Sequence, residues 1–512
     1  GVAASLLPAR AGAARAAIAL ALLLVGALLV ARGPAPPGAD VTAPVSPDRS
    51  ALADPASPRP NLVLVTIDTL RADHLTAYGY ARDTAPQLAA LAQRGVVFER
   101  AISAAPATLL ATASLMTGLW PWSHADRGVA PPPGAPYLRR GFATLAERLA
   151  DAGYDTAAFV ANPALRAGEG FAQGFAHWDE TAAMTETGAI DALLPRALAW
   201  IETAREPFFL WVHAMDPHHP YAAPALAPWE DPADARAAAI RAEWAALPVA
   251  QQTARMKDVE RARDLDAATR AVLVDRYDAE IRHADAGVAT LLAALAARGA
   301  SEANAWIVVT ADHGEEFLDH GRLLHGHTLF DELLHVPLLV LGPGVPAGVR
   351  VASQVPVIDV AATLLEAAGL GDPALDARSL APHWSAGGAA SRPAVASRDG
   401  KYVAFHEGGW KLVLAQAPYP AQTPRAGGVA GFRWMARAAF DTTHRPKVGF
   451  WPIAHEPRDP AVASGAHRTA RRARDALEAL RRAAPPRAVA FDPPLAPDAA
   501  AVEQLRALGY AR

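Results

Sequence analysis

The segment Asn61-Leu62-Val63-Leu64-Val65-Thr66-Ile67 is a run of aliphatic and β-branched residues with no polar alternation, and Asp68 follows it directly. Such a run has the length and composition of a strand buried on both faces of a sheet. Similar runs recur at Thr156 to Val160, Phe208 to Val212, Ala305 to Thr310 and Val336 to Leu341. Helical patterns lie between them at Ala85 to Arg94, Ala143 to Ala152, Ile190 to Thr203 and Ala279 to Arg298. Strands alternating with helices predict an α/β fold, a large and mainly parallel sheet with helices on both faces. Sites in such folds lie beyond the carboxyl ends of the strands, so the residues that follow these runs are the candidates for chemistry.

The rest of the chain divides by composition. Ala222 to Arg276, rich in Ala and Arg, reads as an added helical excursion, a solvated or lid segment. The small-residue stretch Ala386-Gly387-Gly388-Ala389-Ala390-Ser391 closes a large domain spanning 61–388. Beyond it, Lys401 to Phe405 and Trp410 to Leu414 flank a glycine-containing turn and read as a hairpin, so 389–512 is expected to form a smaller α+β domain. The part from 416 to 494 is irregular and basic, and no role is assigned to it.

At the amino terminus, Arg10 and Arg15 precede an uncharged Leu- and Ala-rich run that ends at Arg32. At ~1.5 Å per residue it would be about 24 Å long, short of the ~30 Å hydrocarbon core but workable with flanking arginines snorkelling. Residues 1–32 therefore read as a single transmembrane helix, with a cleaved signal peptide as the competitor. Pro44 after Val41-Thr42-Ala43 disfavours cleavage there. The upstream arginines place the amino terminus inside and the bulk of the chain outside the cytoplasm, in a periplasmic location. Residues 33–60, with Pro34, Pro36, Pro37, Pro44, Pro47, Pro55 and Pro58, form either a stiff spacer or an irregular domain edge. With 512 residues, 52% hydrophobic, 20% charged and a net charge of -4, the chain can bury a large core and has no basic block suited to nucleic acid. It has no cysteine, which excludes disulfides, thiolate metal sites and a cysteine nucleophile.

A carboxylate straight after a doubly buried strand is costly unless a cation or dense hydrogen bonding meets it. Asp68 is in that position, as metal ligand or as cap of the next helix. Asp312 and His313 follow the strand ending at Thr310 in the same way. Two strand-end carboxylates and an imidazole converging on one point make an oxygen and nitrogen set suited to Zn²⁺ or Mn²⁺. His213, His218 and His219 follow another strand, and His320, His325 and His327 follow Asp312. Clustered behind strand ends, some of these would contact an anionic substrate or a second metal.

These residues carry a resemblance to the sulfatase family, within the alkaline phosphatase superfamily. Ile67-Asp68-Thr69-Leu70-Arg71-Ala72-Asp73 resembles the opening strand and first metal aspartate of that family. Ala113-Ser114-Leu115-Met116-Thr117-Gly118 resembles the helix that starts at its nucleophile, and Phe159 to Asp179, with Asn162, resembles another of its stretches. Trp211-Val212-His213-Ala214-Met215-Asp216-Pro217-His218-His219-Pro220-Tyr221 is similar to its substrate-histidine segment, with His218 at the matching position. Asp312-His313-Gly314-Glu315 followed by Val336-Pro337-Leu338 matches its second metal motif. The resemblance implies an alkaline phosphatase-like fold, a divalent ion (Zn, Mn or Ca) held by Asp68, Thr108, Asp312 and His313, and substrate contacts from His218 and His325.

The departures from the family pattern are specific. Formylglycine sulfatases need Cys or Ser followed by x-Pro-x-Arg; counting back from Gly118 puts Thr108 at the nucleophile, with Leu110 and Thr112 in place of Pro and Arg. A sulfate-binding Lys aligns with His325. Threonine is the nucleophile in several phosphoryl-transferring relatives, so the expectation is an ester hydrolase or transferase with Thr108 as metal-activated nucleophile. Its substrate would be a small-molecule or envelope sulfate or phosphate ester, phosphate or phosphonate being favoured. The alternatives are a sulfuric ester hydrolase without formylglycine, a metal-binding pseudoenzyme and, from a different class, a structural envelope protein.

Overall fold

The computed structural model describes residues 59–124, 135–184, 190–262, 265–319, 321–385, 388–398, 402–407, 410–415, 433–436 and 475–483, with a few positions near the carboxyl end. The expected anchor at 1–32 and most of the spacer lie outside the described residues. Among the described residues, no helix is long and apolar enough to cross a membrane.

In chain order the strands of the main sheet are β1 (Asn61–Ile67), β2 (Val96–Ile102), β3 (Asp155–Val160), β4 (His177–Asp179), β5 (Phe208–Ala214) and β6 (Ala305–Thr310). After a two-residue ribbon of β7 (Glu316–Phe317) and β8 (Leu323–Leu324) come β9 (His335–Val336), β10 (Leu338–Leu341) and β11 (Val349–Pro356). The order across the sheet is β11-β2-β10-β6-β1-β5-β3-β4, with β9 also paired to β2. Every pair is parallel except those made by β10 and β9. All residues of β1, β5 and β6 are buried. Successive side chains of a strand point to opposite faces, so both faces of the sheet centre are covered, as the unbroken apolar runs require.

Where the sheet departs from the expected strands, the reason is local. The run Val336 to Leu341 is two strands, because Pro337 has no N–H to give the ladder. β2 and β11 were absent from the expected set. Glu99 and Arg100 interrupt the first, and Arg350, Ser353 and Gln354 the second, and both pairings are decided across the sheet.

The helices that matter here are α1 (Pro86–Ala92), α2 (Thr108–Thr117), α3 (Leu145–Asp151), α4 (Ile190–Thr203), α5 (Ala235–Ala245), α6 (Val249–Ala262) and α7 (Ala267–Ala297). The excursion expected from Ala222 to Arg276 thus contains two whole helices and the first turns of a third. α7 starts at Ala267 rather than Ala279 because Asp266 caps it, accepting from the N–H groups of Ala268 and Thr269. β12 (Ala394–Arg398), β13 (Tyr402–Glu407), β14 (Trp410–Ala415) and β15 (Arg433–Ala436) form a separate antiparallel sheet in that order. Val395, Val403 and Phe405 from it pack with Trp120, Trp122 and Leu477.

α1 shows how distant segments complete each other. Ala85 at its N-cap has no side chain able to accept, and Asp285 from α7 accepts instead from the N–H groups of Gln87 (2.9 Å) and Leu88 (2.8 Å). Asp285→Ala is expected to cost ~1–2 kcal/mol, the value of a lost cap, and to lower Tm by a few degrees. An unchanged Tm in a thermal melt would show that water replaces the carboxylate.

Candidate active site

β6, β1 and β5 lie side by side at the middle of the sheet, with Thr66 in register with Thr310 and His213. Their carboxyl ends therefore deliver Asp312 and His313, Asp68, and His213 to one place. The N–H of Asp68 still donates to Ala214 (2.9 Å), so its side chain leaves from the last rung of the sheet.

Asp68 is fully buried. Its Oδ2 accepts from the Asn162 amide and faces His213 Nε2 at 3.4 Å, while Oδ1 has no hydrogen-bond partner. The short helix that follows starts at Ala72, and no side chain caps it, so Asp68 is not a cap. Asp312 is arranged alike: Oδ1 accepts from the N–H groups of His313 (2.8 Å) and Thr69 (3.3 Å), and Oδ2 has no partner. His313 donates Nδ1–H to the Gly314 carbonyl (2.9 Å), which leaves the Nε2 lone pair for the site. Nε2 stands 3.7 Å from Asp68 Oδ1, 3.5 Å from Asp312 Oδ2 and 3.1 Å from Thr108 Oγ1.

These distances test whether a cation fits. Ligands ~2.0–2.2 Å from a tetrahedral metal stand about 3.4 Å apart, within a few tenths of the separations observed around Nε2. Two buried carboxylate oxygens without a donor are otherwise hard to account for. The residues fit a divalent ion held by Asp68, Asp312 and His313, with Thr108 beside it. Asp68, His213 and Asp312 also place one ligand atom each within 4.8 Å of one another, so His213 borders the same position. Burial pushes the Asp312 carboxyl up to about 6, helped by the charge of Asp68. Burial opposes ionisation of Asp68 too, but the His213 hydrogen bond and the charges of His218 and His313 hold it below the usual carboxylate range. The split is the mark of two carboxyls close enough to feel each other's charge.

The backbone around the cluster is constrained. Thr69, β-branched and buried, has φ 56°, a left-handed conformation that costs of order 1–3 kcal/mol. It is held there by its N–H on Asp312 and by the Tyr277 hydroxyl, which donates to its carbonyl (2.7 Å). At Gly314 a Cβ would lie 2.0 Å from the Glu332 carbonyl oxygen, so no larger residue fits between His313 and Glu315.

Thr108 is fully buried and is the first residue of α2, with Ala107 as N-cap. It is therefore a helical residue rather than the cap itself, and the helix start opens beside the cluster. Leu110 and Thr112, at the positions of the family's Pro and Arg, are buried, and the Thr112 hydroxyl has no partner.

The histidines divide by partner. His218 donates Nδ1–H to the His219 carbonyl, and burial lowers its pKa to about 4. His325 Nδ1 lies 3.0 Å from Glu315 Oε1, and burial together with His313 lowers its pKa to about 3. The His325 ring is 4.6 Å from that of His313 and 4.9 Å from that of His218, so all three gather on one side of the cluster. Glu315 also accepts from the Tyr221 hydroxyl (3.1 Å), and burial pushes it up to about 7. His219 instead faces Thr253 of α6, and His327 bonds the Leu323 carbonyl. His320 lies outside the described residues.

A family model described as Sulfatase matches residues 60–370, more than half of the chain. The chain belongs to the sulfatase family. Among curated relatives, mouse arylsulfatase K is 37% identical over 67 residues, 13% of this chain and 12% of that one. An N-acetylgalactosamine-6-O-sulfatase from Bacteroides thetaiotaomicron is 30% identical over 100 residues, 20% of each chain. The alignments thus span an eighth to a fifth of those relatives. Among solved structures, the phosphonate monoester hydrolase of Agrobacterium radiobacter superposes with a TM-score of 0.60 at 21% identity, covering 83% of this chain and 96% of that one. A putative sulfatase from Bacteroides thetaiotaomicron gives 0.62 at 19% identity, covering 86% and 96%. These two share the fold, the alkaline phosphatase-like sheet expected from the sequence.

Sequence reasoning singled out both carboxylates and His313 of this sulfatase-family site but missed what holds them. Asn162 and His213 fix the orientation of Asp68, and Thr69 and Tyr277 do the same for Asp312 and its loop. In the sequence Asn162 was one residue of a family stretch and His213 one of several histidines. Asp312→Ala should abolish retention of a divalent ion. His213→Ala should weaken it by about 10–100-fold, the usual effect of losing a group that orients a ligand. Elemental analysis after dialysis, with a chelator titration, reads both; unchanged metal content in Asp312→Ala would remove the cluster from consideration.

Proposed function

We propose that this sulfatase-family chain is a metal-dependent ester hydrolase with Thr108 as nucleophile, turning over phosphate or phosphonate esters better than sulfate esters. The observation that carries the reading is the position of Thr108 Oγ1, 3.1 Å from His313 Nε2 at the start of α2, beside the two donor-less carboxylate oxygens. A divalent ion held by Asp68, Asp312 and His313 would supply positive charge that lowers the pKa of a neighbouring hydroxyl and neutralises the transferred group.

This chain's own residues do the rest. With its hydroxyl proton already lost to solvent, Thr108 Oγ1 attacks phosphorus, the bond from phosphorus to the alcohol oxygen breaks, and a phosphothreonine ester forms. The positive end of the α2 dipole favours the anion during this step. Because Nδ1 of His218 is committed to the His219 carbonyl, Nε2 is its proton-exchanging atom. An incoming anion raises the pKa of that buried imidazole, so it enters protonated and gives its proton to the departing alcohol. Neutral again, it takes a proton from the water that attacks phosphorus and frees Thr108. His325, oriented by Glu315, contacts the remaining oxygens.

The preference between esters follows from the nucleophile. A hydrated aldehyde can expel sulfate by breaking its own carbon–oxygen bond, an exit a simple threonine ester lacks. A threonine phosphate is open to attack at phosphorus. The fold shared with a phosphonate monoester hydrolase supports this reading; the names of the sulfatase relatives favour the second one, sulfate ester hydrolysis without formylglycine. Tethering outside the cytoplasm through 1–32 is part of the proposal and rests on the run between Arg15 and Arg32. Extraction at alkaline pH tests it: a soluble, shortened chain points to a signal peptide instead.

The ester preference is tested by kcat/KM for matched aryl phosphate, phosphonate and sulfate esters. Phosphorus esters should lead, and Thr108→Ala should lose about 10³-fold or more, as expected of a nucleophile. A wild-type preference for sulfate overturns the substrate assignment, and full activity in Thr108→Ala overturns the nucleophile.

A further inference from the structure

Three residues after His218 the chain reaches Tyr221, and from there to Leu226 it forms one wall of a cavity of about 330 Å³. The other walls are Trp244 of α5, Met256 of α6, and Val272 and Leu273 of α7, all from the helical excursion. Three residues of chain span at most ~11 Å, so the wall begins close to His218. Tyr221 is common to both places, since its hydroxyl bonds Glu315, whose other oxygen bonds His325.

The polar groups that line the cavity are occupied by the protein. The Arg276 guanidinium bonds Glu230 (3.0 Å) and the carbonyls of Ala223 and Ala225, and Arg241 lies 3.6 Å from the same glutamate. The Gln252 amide donates to the Leu247 carbonyl (2.9 Å). Beyond these paired groups the walls are mainly carbon, with the Trp244 indole N–H, which has no partner although the residue is 6% exposed. At one edge is Leu226, 44% exposed, the only large apolar side chain so open among the described residues. A sugar would bring several hydroxyls to walls with almost nothing to pair them; an alkyl or aryl group loses nothing there and can offer an ester oxygen to the indole.

We infer that this cavity receives the apolar organic group of the ester whose anionic end is held at Thr108, so that the preferred substrate is a monoester of an alkyl or aryl alcohol rather than of a sugar. This rests on the ester-hydrolase reading of the neighbouring site. The excursion is then the part of the chain that sets the substrate class, and its helices are a binding wall.

The experiment has a turnover arm and a binding arm. Methyl, butyl and octyl phosphate and a hexose 6-phosphate are compared by kcat/KM; methyl-, butyl- and octylphosphonic acid are compared by calorimetric Kd. Each methylene that enters the cavity should give about fourfold, equivalent to ~0.8 kcal/mol, so octyl should exceed methyl by roughly 100-fold or more. Ala245→Phe, which narrows the cavity from an exposed position of α5, and Leu226→Gln at its edge should each reduce the octyl-to-methyl ratio at least several-fold. Equal affinity along the series, ratios unchanged in both variants, or a preference for the hexose phosphate overturns the inference. If no ester is turned over but octylphosphonic acid still binds more tightly than methyl and Ala245→Phe removes the difference, the cavity assignment stands and the catalytic reading falls.

Discussion

Asp68 and Asp312 stand at the ends of adjacent strands that are buried on both faces, and their like charges, with one oxygen of each left without a donor, are the constraint around which the rest is arranged. Ionised together in a dry site they would repel and lose their hydration, a cost of several kcal/mol for each ion. The protein meets part of that cost with Asn162, His213 and two backbone N–H groups, all on the outer oxygens. The inner oxygens are left to face His313 Nε2, where a divalent ion would complete the balance. The strained Thr69 and the obligatory Gly314 belong to the same crowded corner: the first turns the chain sharply after Asp68, and the second lets the Glu332 carbonyl approach the chain between His313 and Glu315.

The three histidines on the site show one device used repeatedly. His313 and His218 each give Nδ1–H to a carbonyl of the next residue, and His325 turns Nδ1 to Glu315. In each case Nδ1 is fixed by that contact, so the tautomer is set by local backbone or by a buried carboxylate rather than by a ligand. His218 and His219, neighbours in the chain, differ in direction. His219 spends its ring on the excursion helix α6, which ties the histidine loop to the segment forming the cavity.

That segment stands apart from the sheet in composition and in structure. The carboxylate and histidine cluster depends on the ends of the central strands. The excursion packs over the loop after His218 and lines the cavity proposed for the organic part of an ester. Chemistry and selectivity are thus carried by different stretches of chain, joined at Tyr221.

The sequence alone determined the alternation of doubly buried strands with helices, and with it the sheet and the end of the sheet where chemistry belongs. It marked Asp68, Asp312 and His313 as well, because a charge beside an unbroken apolar run has a physical cost that shows in one dimension. It could not reveal β2 and β11, whose charged residues break the apolar pattern and whose pairing depends on residues hundreds of positions away. Nor did the residues alone separate the two readings of Asp68, strand-end ligand or helix cap, or mark out the partners of Asp68 from any other Asn and His. Those were decided by tertiary structure, for one reason: orientation, hydrogen-bond partnership and the closing of a cavity are relations between segments far apart in the chain, and no single segment carries them.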